Sequence, residues 1–369
     1  MWAKKNTAFV VIHGAGSHPP FKRLDDFARG LSNMLKKSNP DLDVRWRHKL
    51  QRHEGWVENY VSLEAEGKPD IDFYEYYWDC YMDHEIGLAD VIRWFDIASD
   101  GAKRFYDDRP ELTAQRKQDS DFKVGDYFRL LGPTGRFLGV LYRLRITRIP
   151  VLGTVITLFL NWFSKLIVNL AGDVVIYVES DARSSNYAIR QKVLGGAVEE
   201  LKLLLEREHY EQIIVVGHSL GTVIGYDALN RITIDLNAEG GISPDKAQKI
   251  TGLVTFGSPL DKVAFFFQQH TPDEAFVRRQ VLAHLHAFKS PKPSGDQEPL
   301  SIDDPMLRHL DHTRWLNFYH PKDAVSGKLD AYEVDRDVRC DIEADGQSEA
   351  HEVYWKYERM YEIIGEELL

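Results

Sequence analysis

The sequence predicts an α/β fold: a mostly parallel central sheet flanked by helices and interrupted by an apolar insertion. Three observations carry this. Short β-branched apolar runs alternate with longer segments of helical spacing, the pattern of a parallel sheet covered on both faces. One such run, Val215-Val216-Gly217, breaks into His218-Ser219-Leu220-Gly221 and continues directly as a helix. The alternation stops near Asp83 and resumes after Leu170, with a strongly apolar stretch in between. At 369 residues the chain suits a single domain, 1–369, with 83–170 as a cap or lid insertion within it.

In chain order, Phe9–Ile12 reads as a buried strand ended by the glycine-rich loop His13-Gly14-Ala15-Gly16. Phe21–Lys37 has helical spacing, with Phe21, Leu24, Phe27, Leu31, Met34 and Leu35 on one face. The aromatic run Asp72–Trp78 is the next strand. After the insertion, a helix over Asn186–Arg207 leads into the strand Gln212–Gly217, and a helix follows Ser219 to about Leu236. A strand at Thr251–Phe256, a helical segment around Ala275–Phe288, a strand at Trp315–Tyr319, a last strand within Tyr332–Ile342 and a closing helix over Glu352–Leu369 complete the pattern.

Composition removes several function classes. With 46 basic and 57 acidic residues the net charge is −11, which argues against a nucleic-acid partner. The two cysteines, Cys80 and Cys340, lie far apart and form no ligand-spaced pair, so neither a disulfide framework nor a zinc site is expected. His309 and His312 lack metal-ligand spacing, and no metal is expected. The loop at His13–Gly16 fails the dinucleotide pattern G-x-G-x-x-G, so no cofactor is expected either. The short apolar run after Lys5 is no secretory leader, and a cytoplasmic setting fits.

Gly217-x-Ser219-x-Gly221 between strand and helix is the arrangement that exposes a nucleophilic hydroxyl. A serine needs a base to take its proton, and the base needs an acid to hold its tautomer. In this order of elements the acid and then the histidine follow the serine. Asp323 stands just past the strand Trp315–Tyr319, and His351 stands in the loop before the closing helix. Asp261 is the alternative acid and Asp330 a weaker one. Two backbone N–H donors must meet the developing oxyanion. Leu220 supplies one, and the loop after the first strand the other, with Ala15 ahead of Gly14 and Gly16.

These residues resemble the α/β-hydrolase superfamily, and within it the lipase-type branch that includes class-3-type triacylglycerol lipases and DDHD-type phospholipases. The matching stretches are Val11-Ile12-His13-Gly14, Gly217–Gly221 with Tyr226-Asp227-Ala228-Leu229, Thr255–Leu260, Trp315–His320 through Asp323–Ser326, and Ala350-His351 with Tyr354-Trp355. The repeated aspartate/histidine signature of a DDHD domain is absent. The resemblance implies a cofactor-free serine esterase of acyl or lipid-like esters, with Ser219 as nucleophile, Asp323 as acid and His351 as base. A thioesterase or acyltransferase with the same triad, or a non-catalytic membrane- or partner-binding scaffold, are the alternatives.

Ile149–Ser164 carries no charge and follows Arg136, Arg143, Arg145 and Arg148. A membrane crossing would separate strands that must share one sheet. A cap packed over the site, or an interfacial lid giving peripheral membrane contact through 149–172, is expected instead.

Overall fold

The computed structural model describes residues 2–15, 19–53, 56–81, 185–267, 276–290, 306–323 and 325–369. The insertion at 83–170 and the expected membrane contact at 149–172 lie outside them, as does Gly16. In chain order the described elements are β1 (Thr7–Ile12), α1 (Lys22–Ser38), β2 (Arg45–His53), β3 (Trp56–Glu64), β4 (Ile71–Tyr76), α2 (Ser185–Glu206), β5 (Gln212–His218) and α3 (Leu220–Asn237). They continue as α4 (Pro244–Ala247), β6 (Ile250–Phe256), α5 (Ala264–Phe267), α6 (Phe276–Leu285), β7 (Arg314–Tyr319), β8 (Arg336–Arg339), α7 (Gln347–Glu352) and α8 (Glu358–Leu368).

The strands form one eight-stranded sheet in the order β2-β3-β4-β1-β5-β6-β7-β8. From β4 to β8 all neighbours are parallel. β3 is antiparallel to both β2 and β4. This is an α/β fold with a mostly parallel sheet. The alternation of the strands splits their side chains between two apolar layers. Ala8, Val10 and Ile12 of β1 join Val193 and Leu201 of α2 and Val223 and Ile224 of α3. Phe9 and Val11 join Leu24, Phe27 and Leu31 of α1 and Ile364 and Leu368 of α8.

The expected strands and helices of the described core are present within a few residues, except that the closing helix starts at Glu358 rather than Glu352, because Val353–Lys356 form a separate 3₁₀ turn. The β2–β3 hairpin was not expected from the sequence. Its nine-residue strand RWRHKLQRH is basic and largely exposed, so it lacks the apolar run by which a buried strand is recognised. The parallel strands have a common direction, so the chain leaves β1, β4, β5, β6 and β7 at one end of the sheet. In open α/β sheets that carboxyl end is where ligands bind.

Candidate active site

β5 ends at His218, and Ser219 stands alone between it and the first residue of α3. Its backbone is left-handed, with φ 52 and ψ −126, a conformation that costs a non-glycine residue on the order of 1–3 kcal/mol. The flanking glycines permit the turn. A Cβ on Gly221 would lie 2.2 Å from the Ile12 carbonyl oxygen, and one on Gly217 would lie 2.6 Å from Thr222 Cα. Both contacts are with backbone, which cannot yield, so any larger residue would force the turn apart.

The loop after β1 reaches the same point. A Cβ on Gly14 would come within 2.7 Å of Ser219 Cβ. His13 is held there by Trp78, whose indole stacks on the imidazole at 4.8 Å and whose Nε1–H donates to the His13 carbonyl at 2.9 Å. Ala15 is half-buried and packs against the α2–α3 layer. Leu220 is buried, and its N–H is one of those that the first turn of a helix leaves without an intrahelical acceptor.

Asp323 and His351, 28 residues apart in the chain, are brought together. Asp323 follows β7 in a tight turn closed by its own N–H on the His320 carbonyl at 3.0 Å, and its Oδ1 accepts the Val325 N–H at 2.8 Å. The carboxylate therefore builds the turn with one oxygen and turns the other to its partners. Oδ2 accepts His351 Nδ1–H at 3.0 Å and the Tyr354 hydroxyl at 2.8 Å. His351 lies in the short helix α7 rather than in an open loop. Gly346 and Ala350 close its first turn, with a backbone bond of 2.8 Å.

The charge of this pair is set by its surroundings. Burial alone would raise the Asp323 pKa. The His351 charge, with hydrogen bonds from His351, Tyr354 and Val325, outweighs it and holds the carboxyl well below the usual carboxylate range. Burial, followed by the Asp323 charge, pushes the Tyr354 phenol far up, so it stays a protonated donor. With Nδ1–H committed to Asp323, Nε2 is the ring nitrogen left to accept a proton.

The alternative acid, Asp261, is also buried. Its Oδ2 lies 2.9 Å from Lys262 Nζ and packs against Gly327, where a Cβ would stand 2.6 Å from that oxygen. The His351 hydrogen bond goes to Asp323. His320, three residues before Asp323, is engaged elsewhere: Nε2–H donates to the Ile342 carbonyl at 2.8 Å, and Nδ1 accepts from Lys322 N–H at 3.1 Å.

Two side chains that sequence reasoning assigned no role complete the arrangement. Tyr354 hydrogen-bonds Asp323 and Ser326 Oγ, the latter at 2.8 Å, and accepts the His320 N–H at 2.9 Å. His218 Nε2–H donates to the His351 backbone carbonyl at 2.9 Å, and the two imidazoles lie 4.9 Å apart. His218 thus ties β5 to α7. Burial, then the nearby His351 and Arg23 charges, push its pKa well below the ordinary imidazole value, so it is neutral. A histidine inside the serine pentapeptide was the available signal, since a buried polar residue there needs a partner. Arg23 secures the same helix from the other side, pairing with Glu352 at 2.7 Å and lying 5.0 Å over the Trp355 ring.

Among the described residues no group of three or more His, Cys, Asp or Glu side chains could hold a metal ion. No helix among them is long and apolar enough to cross a membrane. Compared with protein-family models, curated proteins and solved structures, the chain matches none.

Proposed function

We propose that the chain is a cytoplasmic serine ester hydrolase of the α/β-hydrolase fold, acting on acyl-chain esters through an acyl-enzyme. The observation that carries this reading is the left-handed Ser219 at a strand-to-helix turn whose neighbour His218 is bonded to the residue that pairs with Asp323. The chain order serine, acid, histidine agrees with it.

In this mechanism Ser219 Oγ attacks the ester carbonyl carbon while His351 Nε2 takes the hydroxyl proton. Asp323 holds the imidazole in the Nδ1–H tautomer and stabilises the imidazolium that forms. The oxyanion is met by the Leu220 and Ala15 N–H groups, each contributing about 10²–10³ in rate. Collapse expels the alcohol, which takes the proton from His351. Water then enters, gives a proton to His351 Nε2 and bonds to the acyl carbon; collapse releases the acid, and His351 returns the proton to Ser219 Oγ. The preference for an acyl chain rests on the uncharged run Ile149–Ser164 and on the lipase resemblance.

The test is hydrolysis of p-nitrophenyl esters from acetyl to palmitoyl, with fluorophosphonate labelling and Ser219→Ala in parallel. Turnover that grows with chain length and disappears with Ser219 supports the lipid-ester reading. Turnover of short esters alone would move the substrate to small esters. A folded protein that neither turns over esters nor takes the label would make the site a scaffold. Product analysis with an added alcohol or a thioester separates hydrolysis from acyl transfer.

A further inference from the structure

The β2–β3 hairpin carries the sheet beyond the helix that covers its neighbours. On the α1 side of the sheet, α1 packs on β1 and β4. The Trp46 ring stands 6.1 Å from Phe73, which belongs to that same α1-side layer. Trp46 and the alternate residues His48, Leu50 and Arg52 share this face, and all four are exposed. Val57 stands opposite Arg52 and Asn59 opposite Leu50. Leu50 is 67% exposed and Val57 49%. Sheets of this kind normally bury both faces under helices, and clustered exposed apolar side chains mark an interaction surface.

The register places this surface. β3 pairs with β4 through Val61–Leu63 and Ile71–Phe73, so Trp56–Tyr60 and their β2 partners project free of β4 toward the hairpin tip. Phe73 precedes Tyr76, and Tyr76 aligns with Ile12, which aligns with Gly217. The tip therefore lies at the Ser219 end of the sheet.

Charge and size decide what the surface suits. In a chain of net charge −11, β2 holds no acid; Arg52 lies on the exposed face, while Arg45, Arg47 and Lys49 alternate to the opposite one, where Arg45 pairs with Asp43. Arg47 and Lys49 are paired to Glu64 at 2.6 and 2.8 Å. Among the described residues Arg52 has no acidic partner. A second copy paired edge to edge would set like charges against each other. The open face is two strands wide, about 10 Å by 25 Å, far below the roughly 800 Å² per partner of a stable protein interface. Apolar tips beside an unpaired cation fit an anionic lipid surface.

We propose that this open face docks on anionic bilayers, with Leu50 and Val57 entering the headgroup region and Arg52 meeting lipid phosphates. The proposal concerns binding and stands apart from the hydrolase reading.

The test is co-sedimentation of the full chain with vesicles of phosphatidylcholine alone and of a two-to-one mixture with phosphatidylserine. The expected result is binding to the mixed vesicles, weakened by salt and absent from the neutral ones. Arg52→Glu, and separately Leu50→Asp with Val57→Asp, should each lower partitioning by roughly tenfold or more. Ser219→Ala should bind like the parent, and thermal melts confirm that each surface variant is folded. A parent that ignores anionic vesicles overturns the proposal. So do folded hairpin variants that bind as the parent does, which would move lipid contact elsewhere in the chain.

Discussion

Asp72, near the start of β4, and Asp323, past the carboxyl end of β7, are both 1% exposed, yet the protein treats their charges in opposite ways. Asp72 accepts the Tyr210 hydroxyl at 2.6 Å, and Tyr210 passes the chain on to Tyr74, which takes Arg207 Nη1–H at 2.7 Å. Burial dominates there and raises the Asp72 pKa, because hydroxyl partners stabilise a carboxylate only weakly. Asp323 has an imidazole, a phenol and a backbone amide on its two oxygens, and its pKa falls. Burial perturbs both acids, and the partner decides the sign. The carboxylate kept ionised beside a histidine is the one that can serve a nucleophile; the other belongs to a hydrogen-bonded network at the amino-terminal end of the sheet.

The largest expected effect tests whether the Asp323 end is catalytic at all. Ser219→Ala and His351→Ala should each lower kcat by on the order of 10⁴- to 10⁶-fold, and the double variant should be little worse, since the members of a triad act as a unit. Additive losses in steady-state kinetics would break the assignment.

Asp323→Asn is next, at about 10⁴-fold, because the amide favours the wrong histidine tautomer. Asp261→Asn should retain turnover. The stability profile of Asp323 also has a definite sign. Its folded value is depressed, so its contribution is complete above the unfolded value of about 3.9 and is lost as pH falls through the folded value. Urea denaturation between pH 5 and 2 should show that loss in the parent and a shallower slope in Asp323→Asn.

His218 sharpens the comparison at smaller scale. His218→Leu removes the donor to the His351 carbonyl and should lower kcat by about tenfold, the worth of one hydrogen bond, with KM little changed. His218→Gln can place an amide N–H at the same distance and should recover most of the loss. Equal losses in the two variants would make His218 a packing residue only.

At the other end, Asp72→Asn should leave turnover unchanged. Its raised folded value means that ionisation costs stability as pH rises from about 3.9 through that value. The variant should therefore melt no lower than the parent at neutral pH, and a large loss of activity would show that the two ends are coupled.

Much of the site was legible along the chain. Ser219 announced itself because the turn's requirements, glycine on either side and an apolar strand before it, are local. Asp323 and His351 followed from their positions after strands, and the structure pairs them. The β2–β3 hairpin was not legible, because a polar, exposed strand carries no periodic apolar signal and is held by pairing alone. Tyr354 and His218 had no assigned role for a related reason: a hydrogen bond to Asp323 or to the His351 carbonyl depends on where two distant loops meet.

The sequence by itself determined the alternation that builds the sheet, the left-handed serine turn and the candidates for acid and base, since each depends on a few neighbouring residues. The tertiary structure set Asp323 and Asp261 apart, both buried after neighbouring strands. It did so by placing His351 Nδ1 beside one carboxylate and Lys262 beside the other. It also decided that His218 is neutral and Asp323 ionised, because burial and the charges around a group are properties of the packed chain and of no single segment.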